Sequence, residues 1–142
     1  MKNNSKRSFI YLILVLSIYL AGCSDDQTTA PPTQNTAAPS AKLSDIQAKI
    51  FNSCAEASCH SAATHQANLI LENGQSFSNL VNIQSTLFPQ FKRVEPGSGG
   101  NSLLIKILKG DVSPRMPYNR TPLSNDLIDS IEVWIESGAP NN

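Results

Sequence analysis

The stretch Cys54-Ala55-Glu56-Ala57-Ser58-Cys59-His60 constrains this chain more than any other. It sets two thiols a short loop apart and puts an imidazole directly after the second. A rigid metal-bearing ring with two vinyl groups on one side needs both sulfurs to converge there while a histidine turns toward the metal. The adjacency of Cys59 and His60 meets that need, because a bond at Cys59 fixes the backbone that carries the ligand. The common attachment motif has two residues between its cysteines; here there are four. Ala55, Ala57 and Ser58 are small enough to pass close to a ring edge, and the longer loop is expected to bulge outward. The stretch matches a site for covalent haem c, with thioether bonds at Cys54 and Cys59 and His60 as an axial ligand of the iron.

Three simpler readings stand beside it. Cys54 and Cys59 are also placed to form a disulfide closing a short loop, as an oxidising compartment favours. With His60 and His65 they also make up the four nitrogen and sulfur ligands of a structural zinc site, although adjacent Cys59 and His60 fit a tetrahedron poorly. His60 read as a plain surface residue is the third. A second iron ligand separates these readings. Met116 is the only methionine after Met1, and it sits in Pro114-Arg115-Met116-Pro117. A methionine usually fills gaps in a core. Prolines on both sides hold this one in a loop, out of a helix. A thioether on stiff backbone is what an iron needs opposite a histidine, and His/Met ligation raises its potential for electron transfer.

With these residues in place, the chain over 43–139 resembles the c-type cytochrome domains of bacterial lipoproteins and planctomycete-type cytochromes. The shared pattern runs from Cys54–His60 through Pro96-Gly97 and Asn101-Ser102-Leu103-Leu104 to Met116-Pro117 and Trp134-Ile135-Glu136-Ser137-Gly138-Ala139. The resemblance implies thioethers at Cys54 and Cys59, His60 as proximal ligand and Met116 as distal ligand. It also implies a small all-α fold in which the first and last helices pack across each other. Gly97-Ser98-Gly99-Gly100 is looser than that pattern and departs from it.

Before the domain, Lys2, Lys6 and Arg7 precede an apolar run over 9–20 that is short and wrongly flanked for a membrane span. This predicts an export signal over 1–22. It ends in Leu20-Ala21-Gly22-Cys23, which resembles the lipobox of bacterial lipoproteins. Cleavage before Cys23 and lipidation of that residue would tether the chain to a membrane with its domain in the periplasm. Ser24 in place of an aspartate after Cys23 points, by analogy, to the outer membrane. Residues 23–42 carry no large apolar side chain over 24–41 and read as a flexible, disordered linker. Its r.m.s. span is roughly 20–25 Å, with extension to about 60 Å.

Residues 43–142 are left as one small domain. Ser44-Asp45-Ile46-Gln47 reads as a capping box opening a helix with Ile46, Ile50 and Phe51 on its apolar stripe, leading to Cys54. Asn68–Leu71 is short and apolar before a turn at Asn73-Gly74, and a short helix is expected over 77–83. Asn101 or Ser102 should cap a helix running to Leu108 and stopped by Gly110. Ser124 should cap a last helix with Leu127, Ile131, Trp134 and Ile135 inward, ended by Gly138. No alternating strand pattern and no internal repeat occurs, so an all-α domain is expected.

The full chain is formally neutral, and loss of Lys2, Lys6 and Arg7 with the signal leaves it mildly acidic. No basic patch with interleaved aromatics favours a nucleic-acid partner. Lys92, Arg93, Lys106 and Lys109 read as a solvated face, with docking of an acidic redox protein as the sharper alternative. The expected function is one-electron transfer between redox partner proteins, not enzymic catalysis. If Met116 did not bind the iron, the site would suit a ligand sensor or a peroxidase; without haem, the chain would be a structural lipoprotein with a Cys54–Cys59 disulfide.

Overall fold

The first helix forms because Leu43, Ile46, Ile50 and Phe51 need one common burial face. The computed structural model describes residues 40–142; the expected export signal, Cys23 and the expected linker up to residue 39 lie outside the described residues. Helix α1 begins as Leu43–Ile46, widens into a π-helical stretch over Gln47–Phe51 and closes with the α-helical turn Asn52–Cys54. A π turn brings residues five apart into line. Ile46, Ile50 and Phe51 are consequently all buried, and the helix delivers the chain to Cys54.

The capping box expected at Ser44 does not form. The helix starts two residues earlier than that box requires, with Lys42 at the N-cap and no side-chain cap. The free N–H groups of the first turn find partners at the other end of the chain. Leu43 N–H donates to Asn142 Oδ1 at 2.8 Å and Ser44 N–H to the Asn142 carbonyl at 2.9 Å. Gln47, released from capping, turns inward. Its Nε2 donates to the Leu71 carbonyl and to Asn52 Oδ1, both at 2.8 Å, and its Oε1 accepts from Ser76 Oγ at 2.5 Å.

Helix α2, Ser76–Leu80, is shorter than the expected 77–83. Val81 leaves the helix to form a parallel bridge with Val94, and Asn82, at φ 60°, turns the chain away. A second isolated bridge joins Gln84 and Lys92. Helix α3, Leu103–Lys109, follows Ser102 and is stopped by Gly110 at φ 89°. Ser102 sits at the N-cap, but its hydroxyl is engaged elsewhere, accepting from Glu95 N–H and donating to the Ser98 carbonyl.

Helix α4, Asn125–Glu136, follows Ser124 and buries Ile128, Ile131, Trp134 and Ile135. It ends in a Schellman motif: Gly138 N–H returns to the Ile135 carbonyl and Ala139 N–H to the Trp134 carbonyl. Gly138 supplies the left-handed φ of 98° that this motif needs. α4 touches both α1 and α3, and their apolar faces share one core around Trp134. The described residues are thus helical, with no strand beyond the two isolated bridges. Among them no helix is long and apolar enough to cross a membrane.

Gly97–Gly100, the departure from the resembling pattern, packs against α4. The 3₁₀ turn Gly99–Asn101 presents Gly99 N–H to Glu136 Oε1 at 2.6 Å. A Cβ at Gly99 would lie 2.7 Å from Glu132 Cγ, so only glycine permits this approach.

Candidate haem site

The end of α1 and the turn after it place Cys54, Cys59 and His60. His60 N–H donates to the Cys54 carbonyl at 3.1 Å, closing the loop, and Cys59 N–H donates to the Glu56 carbonyl at 2.9 Å. The four intervening residues form the bulge that the spacing predicts; Glu56, Ala57 and Ser58 are exposed at its tip. Beyond it, Gln66 N–H donates to the Cys59 carbonyl at 3.1 Å and Leu71 N–H to the His60 carbonyl at 2.8 Å. His60 therefore sits in a segment bonded on both sides.

Its ring has a defined proton arrangement. Nδ1 lies 3.2 Å from the Gln66 carbonyl oxygen. A carbonyl only accepts, so Nδ1 carries the proton and Nε2 keeps its lone pair, the state in which an imidazole binds a metal. Burial holds the imidazole below its ordinary pKa; the Gln66 and Leu69 carbonyls oppose this, and Arg93 adds to the depression. The neutral ring is favoured.

Beside this segment lies a solvent-open apolar cleft of about 120 Å³. Cys54, His60 and Met116 all line it, among Ile50, Phe51, Leu69 and other apolar side chains. Met116 arrives from the loop after α3. Its N–H donates to the Ile107 carbonyl at 3.1 Å, and the preceding Arg115 donates from Nε to the Leu108 carbonyl at 3.1 Å. The peptide bonds before Pro114 and Pro117 are both cis. Residues from two distant segments thus bring an imidazole, a thioether and a thiol to one apolar cleft.

Cys59 is half-buried beside His60 but does not line the cleft; its sulfur lies 3.6 Å from Ser58 Oγ. Cys54 and Cys59 are free thiols, not joined to each other. Burial, first, and the neighbouring Cys59 push the Cys54 thiol up, against the lowering effects of Ser53 and Arg120, so it is no activated thiolate. His65, the fourth residue of the zinc reading, is exposed and turned to the Ala62 carbonyl, with Nδ1 at 3.1 Å. Among the described residues no three His, Cys, Asp or Glu side chains converge on a point that could hold a metal ion.

Arg93 departs most from expectation. It does not join Lys92, Lys106 and Lys109 on a solvated face; it is 7% exposed and lines the cleft. Nη1 donates to the Asn79 carbonyl at 2.8 Å, and Nη2 to the carbonyls of Ala67 at 2.9 Å and Asn68 at 3.0 Å. Ala67 and Asn68 both adopt left-handed backbone, at φ 58° and 54°. Such backbone costs a side-chain-bearing residue about 1–2 kcal/mol, and the guanidinium offsets that cost by satisfying the carbonyls. The same turn presents the Gln66 carbonyl to His60, so Arg93 stabilises the tautomer of the ring at one remove. No sequence motif marks this role. The remaining basic residues do lie outward: Lys92 near Glu95 at 3.7 Å, Lys109 on Glu132 at 2.6 Å, and Lys106 over the Phe91 ring at 5.4 Å.

Arg120 and Glu56 form a two-bonded ion pair, Nη1 to Oε1 at 2.9 Å and Nη2 to Oε2 at 2.6 Å. Arg120 holds the Glu56 carboxyl below the usual carboxylate range, and Glu56 raises Arg120 in return.

No protein-family model matches the chain, and comparisons with curated proteins and with solved structures find no match either.

Proposed function

We propose that this protein is a membrane-tethered monohaem c-type cytochrome that carries single electrons in the bacterial periplasm. The observation that carries the reading is the convergence of Cys54, His60 and Met116 on one apolar cleft, with His60 Nδ1–H donating to the Gln66 carbonyl and Nε2 left with its lone pair. The chemistry of the donor set fits haem c. Cys54, on the cleft wall, and Cys59, beside His60, would carry the thioether bonds, and His60 Nε2 and Met116 Sδ would be the axial ligands. When bound, haem supplies the one-electron couple. The chain's own residues do the rest: apolar walls exclude water, the Gln66 carbonyl orients the imidazole, and a filled sixth position leaves no room for substrate.

The test is an optical spectrum, oxidised and reduced, of protein exported from a host with haem-attachment machinery, beside Met116→Ala. Low-spin haem c with the weak far-red band of methionine-bound ferric iron is expected in the parent, and loss of that band in the variant. Covalent haem without the band in either would leave a sensor or peroxidase. A colourless protein would leave the structural lipoprotein. Anchoring through Cys23 is proposed on the lipobox resemblance; Cys23→Ser should move the protein from the membrane to the soluble fraction.

A further inference from the structure

The attachment chemistry leaves one feature of the loop unexplained. Glu56 lies within the four residues between Cys54 and Cys59, and Arg120 lies four residues after Met116. Their two-bonded pair links the segment that bears the sulfurs to the segment that bears the proposed distal ligand, across 64 positions of chain. A guanidinium fork on a carboxylate fixes direction as well as distance.

The ties on the two sides of Met116 are unequal. On its N-terminal side the segment is bonded to α3 through Met116 N–H and Arg115 Nε. On its C-terminal side the Pro117 carbonyl accepts from Arg120 N–H at 3.4 Å, a bond internal to the loop. Tyr118 is 62% exposed, and Thr121 and Pro122 are exposed too. Among the described residues, the Arg120–Glu56 pair is the one hydrogen-bonded or ionic tie between 117–122 and another part of the chain. A state in which the 117–122 loop swings away and draws Met116 from the cleft would break the pair. A bond present in one state and absent in the other biases the equilibrium toward the first.

We propose that Glu56 and Arg120 are a positioning pair, which clamps the Met116 segment to the attachment loop and holds the thioether sulfur on the iron. This rests on the haem reading above. It gives the four-residue spacing a purpose: the longer loop reaches far enough to present a carboxylate to the opposing loop. Both side chains are about half exposed, at 52% and 45%, so the bias is small.

The experiment uses the haem-loaded protein and measures the far-red band and the rate of cyanide binding to the ferric form, which requires Met116 to leave. Glu56→Gln and Arg120→Gln should each bind cyanide about two- to fivefold faster, the range set by an exposed ion pair. The exchanged pair, Glu56→Arg with Arg120→Glu, should return the rate toward that of the parent. Added salt should speed the parent toward the single variants and leave those variants unmoved, since an exposed pair is screened. Single variants with parental cyanide rates, or faster rates that the exchange does not rescue, overturn the positioning pair while methionine ligation stands. A parent that lacks the far-red band overturns the ligation and the pair with it.

Discussion

Arg93 and Gln47 show how far a single side chain's role depends on what surrounds it. Both are polar and both are buried, and each binds backbone carbonyls that the chain would otherwise leave without donors. Replacing Arg93 with methionine keeps the apolar stem and removes every donor. Denaturant unfolding should then show a loss of about 2–4 kcal/mol, the scale of charged hydrogen bonds whose acceptors stay buried. Arg93→Lys should recover only part of it, because one ammonium cannot fork to Asn79, Ala67 and Asn68 together. Gln47→Ala should cost about 2–3 kcal/mol in the same measurement, since the Leu71 carbonyl and Ser76 hydroxyl lose their partner. Glu56 gives a proton-linked test. Its carboxyl is held low in the fold, so the stability it contributes is present above the ordinary value of about 4.3 and is lost as pH falls through the lowered one. In Arg120→Gln, a carboxyl NMR titration should find Glu56 back near that ordinary value.

Elements here are set as much by their neighbours as by their own sequence. α1 needs its π-helical stretch to bury Ile46, Ile50 and Phe51 together, and it takes its cap from Asn142. Ser44→Ala should therefore leave thermal stability within about 0.5 kcal/mol, where a true N-cap serine would cost about 1. α4 depends more on itself. Its C-terminal motif requires φ 98° at residue 138, and Gly138→Ala should cost about 1–2 kcal/mol in chemical unfolding.

At the scale of the folded domain, the cleft is open to solvent and borders a small core. Leu69, Met116 and Leu104 pack against that core and also line the cleft, while Leu87, at its wall, is 64% exposed. A domain of this size buries a limited apolar area, and an inserted ring would contribute much of its centre. Calorimetry of protein matured without haem should show a broader, lower transition than the haem-loaded form. An equally cooperative haem-free form would mean that the helices close on themselves.

Much of this was legible in the residues. Apolar spacing in 127–135, Gly110 and Gly138 as stops, and the absence of alternation are local signals, and the helices follow them. The bulge between Cys54 and Cys59 and the loop setting of Met116 were equally local. Tertiary structure alone decided which polar residues turn inward and which distant segments meet. The Asn142 cap, the inward turn of Gln47, Arg93 beneath the 66–69 turn, the Gly99 approach to α4 and the Glu56–Arg120 pair each join positions far apart in sequence. Local propensity cannot encode them, because a buried donor is worth its cost only when folding brings its acceptor within about 3 Å.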